Sequence, residues 1–439
     1  MEGEPWHTRG PVAAPRFKRL AVFLSPVMAV AFMATAVGLG LGLPHWEDSL
    51  PDVALGYDPT TAATTLAAIA GGMITLSGFV ITSVTLVIQT VQNMSPRLIG
   101  VIAHFHRSLA VVGLVTGTAV YALVVLAQIR PDETPRMSVT LAVVLVVVDT
   151  VVLLQSLTGL RHLVTGGGLA RAVGELNAVA IDAAFPRNGA AADPGTAAGW
   201  PTVEGMAFVH RGRPGVVQRV DERRLLGIAA AWGVRVSLDI VPGDRVSAGT
   251  VLGRVHRPTE QPEARHTGQL HRLASCVRVD RFRSIVQDPA YGLRLLADIA
   301  SRALSPAVND PTTAVQALDQ IEEVLARLVT RPLGVTLVTD DSGTARLRRP
   351  APGWPELVSL ALDEILHYGA TSLQVLRRLR ALLDAVAEAA PDHRRAPLVE
   401  RIALVDRLAL AFGDPLLRAV AQGADRQGLG GASAPPDPL

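Results

Sequence analysis

Apolar residues crowd the first 165 positions of the chain and thin out afterwards. Four runs there, residues 20–43, 62–88, 108–129 and 138–160, are each long enough to cross a bilayer core, which takes roughly 20 residues in a helix. The stretch 59–96 carries no charge, and its spacing predicts a helix with two unlike faces. Steps of three and four through Thr64, Ala68, Gly71, Thr75, Gly78, Thr82, Thr85, Gln89 and Gln92 trace a stripe that is small or polar throughout. The opposite stripe, Leu66, Ile69, Met73, Leu76, Val80, Val84, Val87 and Val91, is apolar throughout. One face suits lipid; the other suits close helix packing or water. Polarity rises along the first stripe toward Gln89, Gln92 and Asn93, amides that packing alone does not require.

Beyond residue 165 the periodicity changes. Gly166-Gly167-Gly168 reads as a stop or hinge, followed by a helical stretch over 169–184 and a flexible loop rich in Ala, Gly and Pro. Residues 204–285 show short alternating strands, at 216–220, 234–238 and 249–255, broken by a Pro242-Gly243 turn. The run from Val241 to Leu252 resembles the barrel-sandwich hybrid of biotinyl and lipoyl carrier domains, in fold only, because no lysine stands at a hairpin tip. Asp288-Pro289 and Asp310-Pro311 each place Asp at an N-cap and Pro at the first helical position. A hairpin turning at Asp341-Ser342-Gly343 and helices over 354–390 and 396–421 follow.

The expected architecture is a basic tail (1–19), a four-helix transmembrane bundle (20–165), a helix and linker (166–203), a small β module of barrel-sandwich type (204–285), a helical domain (286–422) and a disordered tail (423–439). In fold class this is an α-helical membrane bundle joined to an α+β region. Composition agrees: of 439 residues 49% are hydrophobic and only 18% charged. Charge sets the orientation. Arg9, Arg16, Lys18 and Arg19 precede the first run, Glu47, Asp48, Asp52 and Asp58 follow it, and Arg97 and Arg107 follow the second. Positive charge on the N-terminal side at every even crossing places both termini in the cytoplasm of a bacterial inner membrane. A net charge of +2 argues against a nucleic-acid partner. The lone Cys276 excludes a disulfide within the chain and reads as a buried, inert thiol.

Candidate chemistry falls in four places. Thr75, Gly78, Thr82, Thr85, Gln89, Gln92 and Asn93 either pack against another helix or line an aqueous path at the axis of a homo-oligomer. Asp149, midway along the fourth run, is an ion or proton site, or a neutral acid bonded to a hydroxyl such as Thr75, Thr82 or Thr116. Arg97, His104, His106 and Arg107 form a basic patch that anchors to anionic lipid or acts as an anion filter or pH gate. A third ligand that would make His104 and His106 a metal site is not evident. Arg294, Asp298 and Arg302, with Asn309, Asp310, Thr312 and Thr313, form an intersubunit network or small-ligand site, or simply a capped helix start. No HExxH, GxSxG, Walker loop or CxxC occurs. The reading is therefore non-enzymatic, without cofactor or metal.

Two segments carry a family likeness: Thr75-Leu-Ser-Gly-Phe-Val-Ile-Thr-Ser-Val-Thr-Leu-Val through Met94-Ser-Pro-Arg-Leu-Ile, and Gln287-Asp-Pro-Ala-Tyr-Gly-Leu-Arg through Asp310-Pro-Thr-Thr-Ala-Val. Together they resemble the bacterial membrane proteins grouped as domain of unknown function 2254, which implies an architecture and no activity. Members often carry a histidine pair near the end of the fourth span. Gln155, Ser156, Leu157 and Thr158 stand there instead, so no such role is carried over. The reading is a homo-oligomeric ion channel or conduit lined by the second helix and regulated by its cytoplasmic part, in contact with membrane lipids and with ions or a small ligand. The alternative is a membrane-anchored sensor or scaffold that binds a ligand or protein partner.

Overall fold

The computed structural model describes residues 16–47, 56–94, 97–98, 105–130, 134–185, 200, 205–256 and 269–430. The chain forms two compact units, one of residues 1–90 and 102–164, the other of Val91–Val101 and 165–439.

The first unit is four helices, α1 (Arg16–Trp46), α2 (Pro59–Met94), α3 (Phe105–Leu126) and α4 (Arg136–Val164), all long and apolar enough to cross a membrane. α3 is the most enclosed of them. Glycine explains its fit to α1: a Cβ on Gly113 would lie 2.4 Å from the Ala29 Cα, and one on Gly117 would lie 3.4 Å from the Phe32 carbonyl oxygen. Two glycines four apart on one face allow the backbones to approach closely. Gln128 Nε2 donates to the Gly40 carbonyl at 2.6 Å. At the same end of α1, Glu47 accepts from Ser138 N at 2.7 Å and Oγ at 2.6 Å, which satisfies a free backbone donor in the first turn of α4. The core gathers Leu66 and Ala70 of α2, Tyr121 and Val125 of α3, and Val139 and Ala142 of α4, continuing through Met73, Val80, Val111 and Val115.

The second unit is α+β. Helix α5 (Gly166–Ala184) is capped by Thr165, whose hydroxyl accepts from Gly168 N. Its glycines serve packing: a Cβ on Gly167 or Gly174 would strike Gln316 or Gln320. Strands follow as β1 (Met206–Val209), β2 (Gly215–Val220), β3 (Arg235–Leu238), β4 (Arg245–Val246), β5 (Val251–His256), β6 (Val277–Asp280), β7 (Thr336–Thr339) and β8 (Ala345–Arg349). They form a five-stranded sheet of order β1-β5-β3-β8-β7 and a three-stranded sheet of order β4-β2-β6. Among the described residues, only β3 and β8 pair in parallel. Phe208, Val217, Val236, Leu252 and Leu347 fill a shared core, with Leu225 from α6 (Glu222–Ala231) and Leu273 from α7 (Leu270–Ala274).

No closed barrel forms among the described residues, which corrects the barrel-sandwich expectation. The strand that extends the larger sheet past β3 is β8, contributed by the hairpin some 100 residues downstream, and the smaller sheet remains separate. The local alternation of β2, β3 and β5 carries no information about so distant a partner.

Helices α8 (Pro289–Ala303) and α9 (Pro311–Leu328) open at the two Asp-Pro pairs: Asp288 accepts from Tyr291 N at 3.0 Å and Asp310 from Thr313 N at 3.1 Å. The expected run over 354–390 is two helices, α10 (Trp354–Tyr368) and α11 (Leu373–Ala389), because Gly369 closes one and Ser372 caps the next. α12 (Asp392–Leu410) and α13 (Pro415–Gln422) complete the unit. Residues 423–430 differ from the expected disorder. Buried Asp425 accepts from the backbone of Gln427, Gly428 and Gly430, and buried Arg377 donates to the carbonyls of Gly423 and Gly430. Residues 431–439 lie outside the described residues.

Candidate functional site

The two faces of α2 divide cleanly. Leu66, Met73, Val80, Val87 and Val91 of the apolar stripe are buried. Every described member of the small and polar stripe is exposed: Thr64, Ala68, Gly71, Thr75, Gly78, Thr82, Thr85, Gln89 and Gln92, with Asn93 beside them. Gly71 and Gly78 have no neighbour within 4 Å of where a Cβ would stand. The stripe is therefore not what packs α2 onto its own bundle. At 100° per residue it is flanked by Ile74 and Ile81 on one side and Phe79 and Leu86 on the other, each more than half exposed.

Its hydroxyls are quiet donors. Thr75 donates to the Gly71 carbonyl at 2.9 Å, Thr82 to Gly78 at 3.0 Å and Thr85 to Ile81 at 2.9 Å. Each threonine thus spends its proton on its own helix and turns an oxygen acceptor outward. The arrangement offers oxygen and amide dipoles to a cation or to water along one line, with no fixed charge on it.

Asp149 sits in α4, fully enclosed, and neither carboxylate oxygen meets a hydrogen-bond partner. The expected partners differ from those found. Thr75 and Thr82 lie on the open side of α2, and Thr116 pairs with Ser77 at 3.2 Å. Thr118 of α3 is the hydroxyl beside it, itself directed to the Leu114 carbonyl at 3.4 Å. Asp149 is thus inside the bundle, on a different surface from the stripe.

The turn after α2 is where the basic patch was expected. Arg97 Nη1 donates to Asp298 Oδ2 at 2.9 Å, the Arg97 carbonyl accepts from the Tyr291 hydroxyl at 3.2 Å, and Leu98 is fully buried. All of these belong to the second unit. Asp298 also accepts from Arg294 Nε at 2.7 Å, and the Arg294 guanidinium grips both oxygens of Glu364 at 2.6 Å. The result is a chain of alternating charge, Arg97–Asp298–Arg294–Glu364. Hydrogen bonding from Arg294 holds the Glu364 carboxyl below the usual range, and burial pushes the Tyr291 phenol up. His104 lies outside the described residues, as do the side chains of His106 and Arg107.

Of the downstream cluster, Arg294 and Asp298 join this chain, whereas Arg302, Asn309 and Thr312 stay exposed and apart from it. Asp310 and Thr313 form the cap of α9. Asn309 holds a left-handed backbone at φ 48°, a conformation its short amide tolerates. Tyr291, though inside the segment that carries the family likeness, and Glu364 were not among the candidate residues; Glu364 lies 70 residues from its partner Arg294. Cys276 is buried, and burial raises its thiol pKa, which makes it a poor nucleophile. No group of three or more metal-ligating side chains occurs among the described residues.

Comparison with known proteins adds the family. A profile described as predicted membrane protein (DUF2254) matches residues 20–385. Uncharacterized protein Rv1290c of Mycobacterium tuberculosis and uncharacterized protein Mb1321c of Mycobacterium bovis are each 35% identical to this chain over 212 residues, 48% of this chain and 41% of theirs. The chain thus matches about two fifths of the length of these relatives. No solved structure matches it. Four bilayer-length helices and a profile covering most of the sequence make one statement: the chain belongs to the DUF2254 family of predicted membrane proteins.

Proposed function

We propose that the protein is a homo-oligomeric ion conduit of the bacterial inner membrane, lined by the small and polar face of α2. Its termini and α+β unit stand in the cytoplasm, a reading supported by the positive charge beside the even crossings. One observation carries the reading: α2 packs on its own bundle through its apolar face and leaves Thr75, Gly78, Thr82, Thr85, Gln89 and Gln92 open. In lipid such a face gains nothing by exposure, while a ring of copies encloses it and supplies water. Ile74 and Ile81, or Phe79 and Leu86, then provide apolar contacts between neighbours. Regulation enters through the turn after α2, since Arg97 is tied to Asp298 and Tyr291. No catalytic step is assigned.

A second reading, a membrane-anchored sensor or scaffold, draws on the size of the α+β unit. Flux from liposomes loaded with purified protein separates the two. Conduction that Thr82→Leu abolishes without dispersing the oligomer supports the conduit. If liposomes hold every ion gradient across a range of salt and pH, and Thr82→Leu disrupts assembly instead, the stripe is a packing surface and the scaffold reading replaces it.

A further inference from the structure

Away from α2, the smaller sheet carries a cleft of about 680 Å³. Its walls hold Arg213 from the loop before β2, Arg219 of β2, Arg224 of α6, and Arg278 and Arg281 at β6. Among the described residues, two acids line the cleft with them. Asp221 is occupied as the cap of α6, accepting from Arg224 N at 3.2 Å. Asp280 accepts from Arg281 N at 2.8 Å and stands 3.8 Å from Arg278. With five arginines against two aspartates, the described lining keeps an excess of three positive charges. Arg213, Arg219, Arg224 and Arg281 form no salt bridge among the described residues.

The register makes the excess more telling. Arg219 and Arg278 are direct cross-strand partners in the β2–β6 ladder, next to a bulge between Val217 and Arg219. Directly opposed residues share a face, and like charges so placed destabilise a sheet. An anion lodged between two guanidinium groups reverses the sign of that interaction. Guanidinium forks match phosphate oxygens in pairs, and a cleft of this size lies in the range of about 300–1,000 Å³ that small ligands occupy. Three excess charges suit more than one phosphate.

We propose that this cleft binds a small anion bearing two or more phosphate groups, held between Arg219 and Arg278 with Arg213, Arg224 and Arg281 around it. The site lies within the α+β unit and holds whether or not α2 conducts. Phosphates of this kind come either from a free polyphosphate or from a multiply phosphorylated lipid headgroup.

The test uses the full chain in nonionic detergent, titrated with inorganic tripolyphosphate, and the full chain in nanodiscs of phosphatidylcholine with or without cardiolipin. Binding of tripolyphosphate that Arg219→Gln or Arg278→Gln weakens about tenfold or more, with orthophosphate weaker still, assigns a free ligand. Stabilisation by cardiolipin alone, lost in the same variants, assigns a headgroup. A thermal signature accompanies either result. Without anion, Arg219→Gln melts at or above the wild type, because a like-charge pair is gone; with anion the wild type melts higher. The proposal is overturned if neither probe binds, if both variants bind undiminished, or if Arg219→Gln lowers the melting temperature equally with and without anion. Each readout is binding or melting, so a failure of flux leaves these outcomes untouched.

Discussion

Asn177 of α5 is enclosed on all sides, and neither atom of its amide meets a hydrogen-bond partner. Such an orphan costs about 1–3 kcal/mol relative to a satisfied group. Its surroundings include Gly292 of α8, where an added Cβ would fall 2.3 Å from the Asn177 Cγ. The glycine is thus a seat for the amide, and the two positions should respond as a pair. Gly292→Ala alone is expected to destabilise the α+β unit by about 1–3 kcal/mol through overpacking. Asn177→Ala alone should be near neutral, because lost packing offsets a relieved orphan. The double variant should recover most of the loss. Chemical denaturation of all four proteins gives the coupling, and strict additivity would refute it. Gly243 is a second such seat, at φ +100° with the Arg283–Asp288 ion pair at its open side.

Elements are matched through faces, and α3 and α2 show the two ways a glycine enters a face. On α3, Gly113 lies against the Ala29 backbone, so Gly113→Val must push α1 away. The expected loss is about 1–3 kcal/mol, with lower protection of α1 in detergent. On α2, Gly78 faces open space, and Gly78→Val should leave the fold of one chain intact while changing assembly or flux. Circular dichroism on heating, together with a crosslinking test for the proposed assembly of copies, distinguishes the cases. A monomer that unfolds equally in both variants would mean the open face of α2 is not open. The helices of the α+β unit follow a different rule: buried Arg378 of α11 reaches Asp319 at 2.7 Å and Glu322 at 2.5 Å on α9, so a charged side chain fixes the helix pair. Removing either acid leaves the other, whereas removing the arginine strands both.

At the scale of the molecule, α2 begins in one compact unit and ends in the other, and Arg97 is where its continuation is fastened. The fastening is electrostatic and partly exposed, so each pair is worth about 0–1 kcal/mol, and the chain of four acts together. Arg97→Ala and Asp298→Asn should each speed hydrogen exchange over Tyr291–Asp298, and the double variant should add little to either. Fully additive effects would show the pair to be uncoupled. The pH dependence has a definite sign. Because Arg294 depresses the Glu364 pKa, the stability this pair contributes is complete above the ordinary glutamate range and is lost as pH falls through the depressed value. Glu364→Gln should flatten that acid limb; an unchanged limb would remove Glu364 from the network.

The sequence by itself determined what is local. Run lengths gave four bilayer-length helices, Asp-Pro pairs marked the starts of α8 and α9, and three-four spacing separated the faces of α2. These follow from propensity and period, which act within a few turns of chain. Only the tertiary structure decided which face of α2 is covered, because in lipid an apolar stripe meets its own bundle or the bilayer at similar cost. Only it decided that β8 joins β3 and leaves the sheets open, that Arg97 reaches Asp298 across 201 residues, and that Arg219 stands opposite Arg278. Periodicity fixes the surface an element offers; the partner that takes it is set by which distant segment buries the most while leaving the fewest polar groups alone.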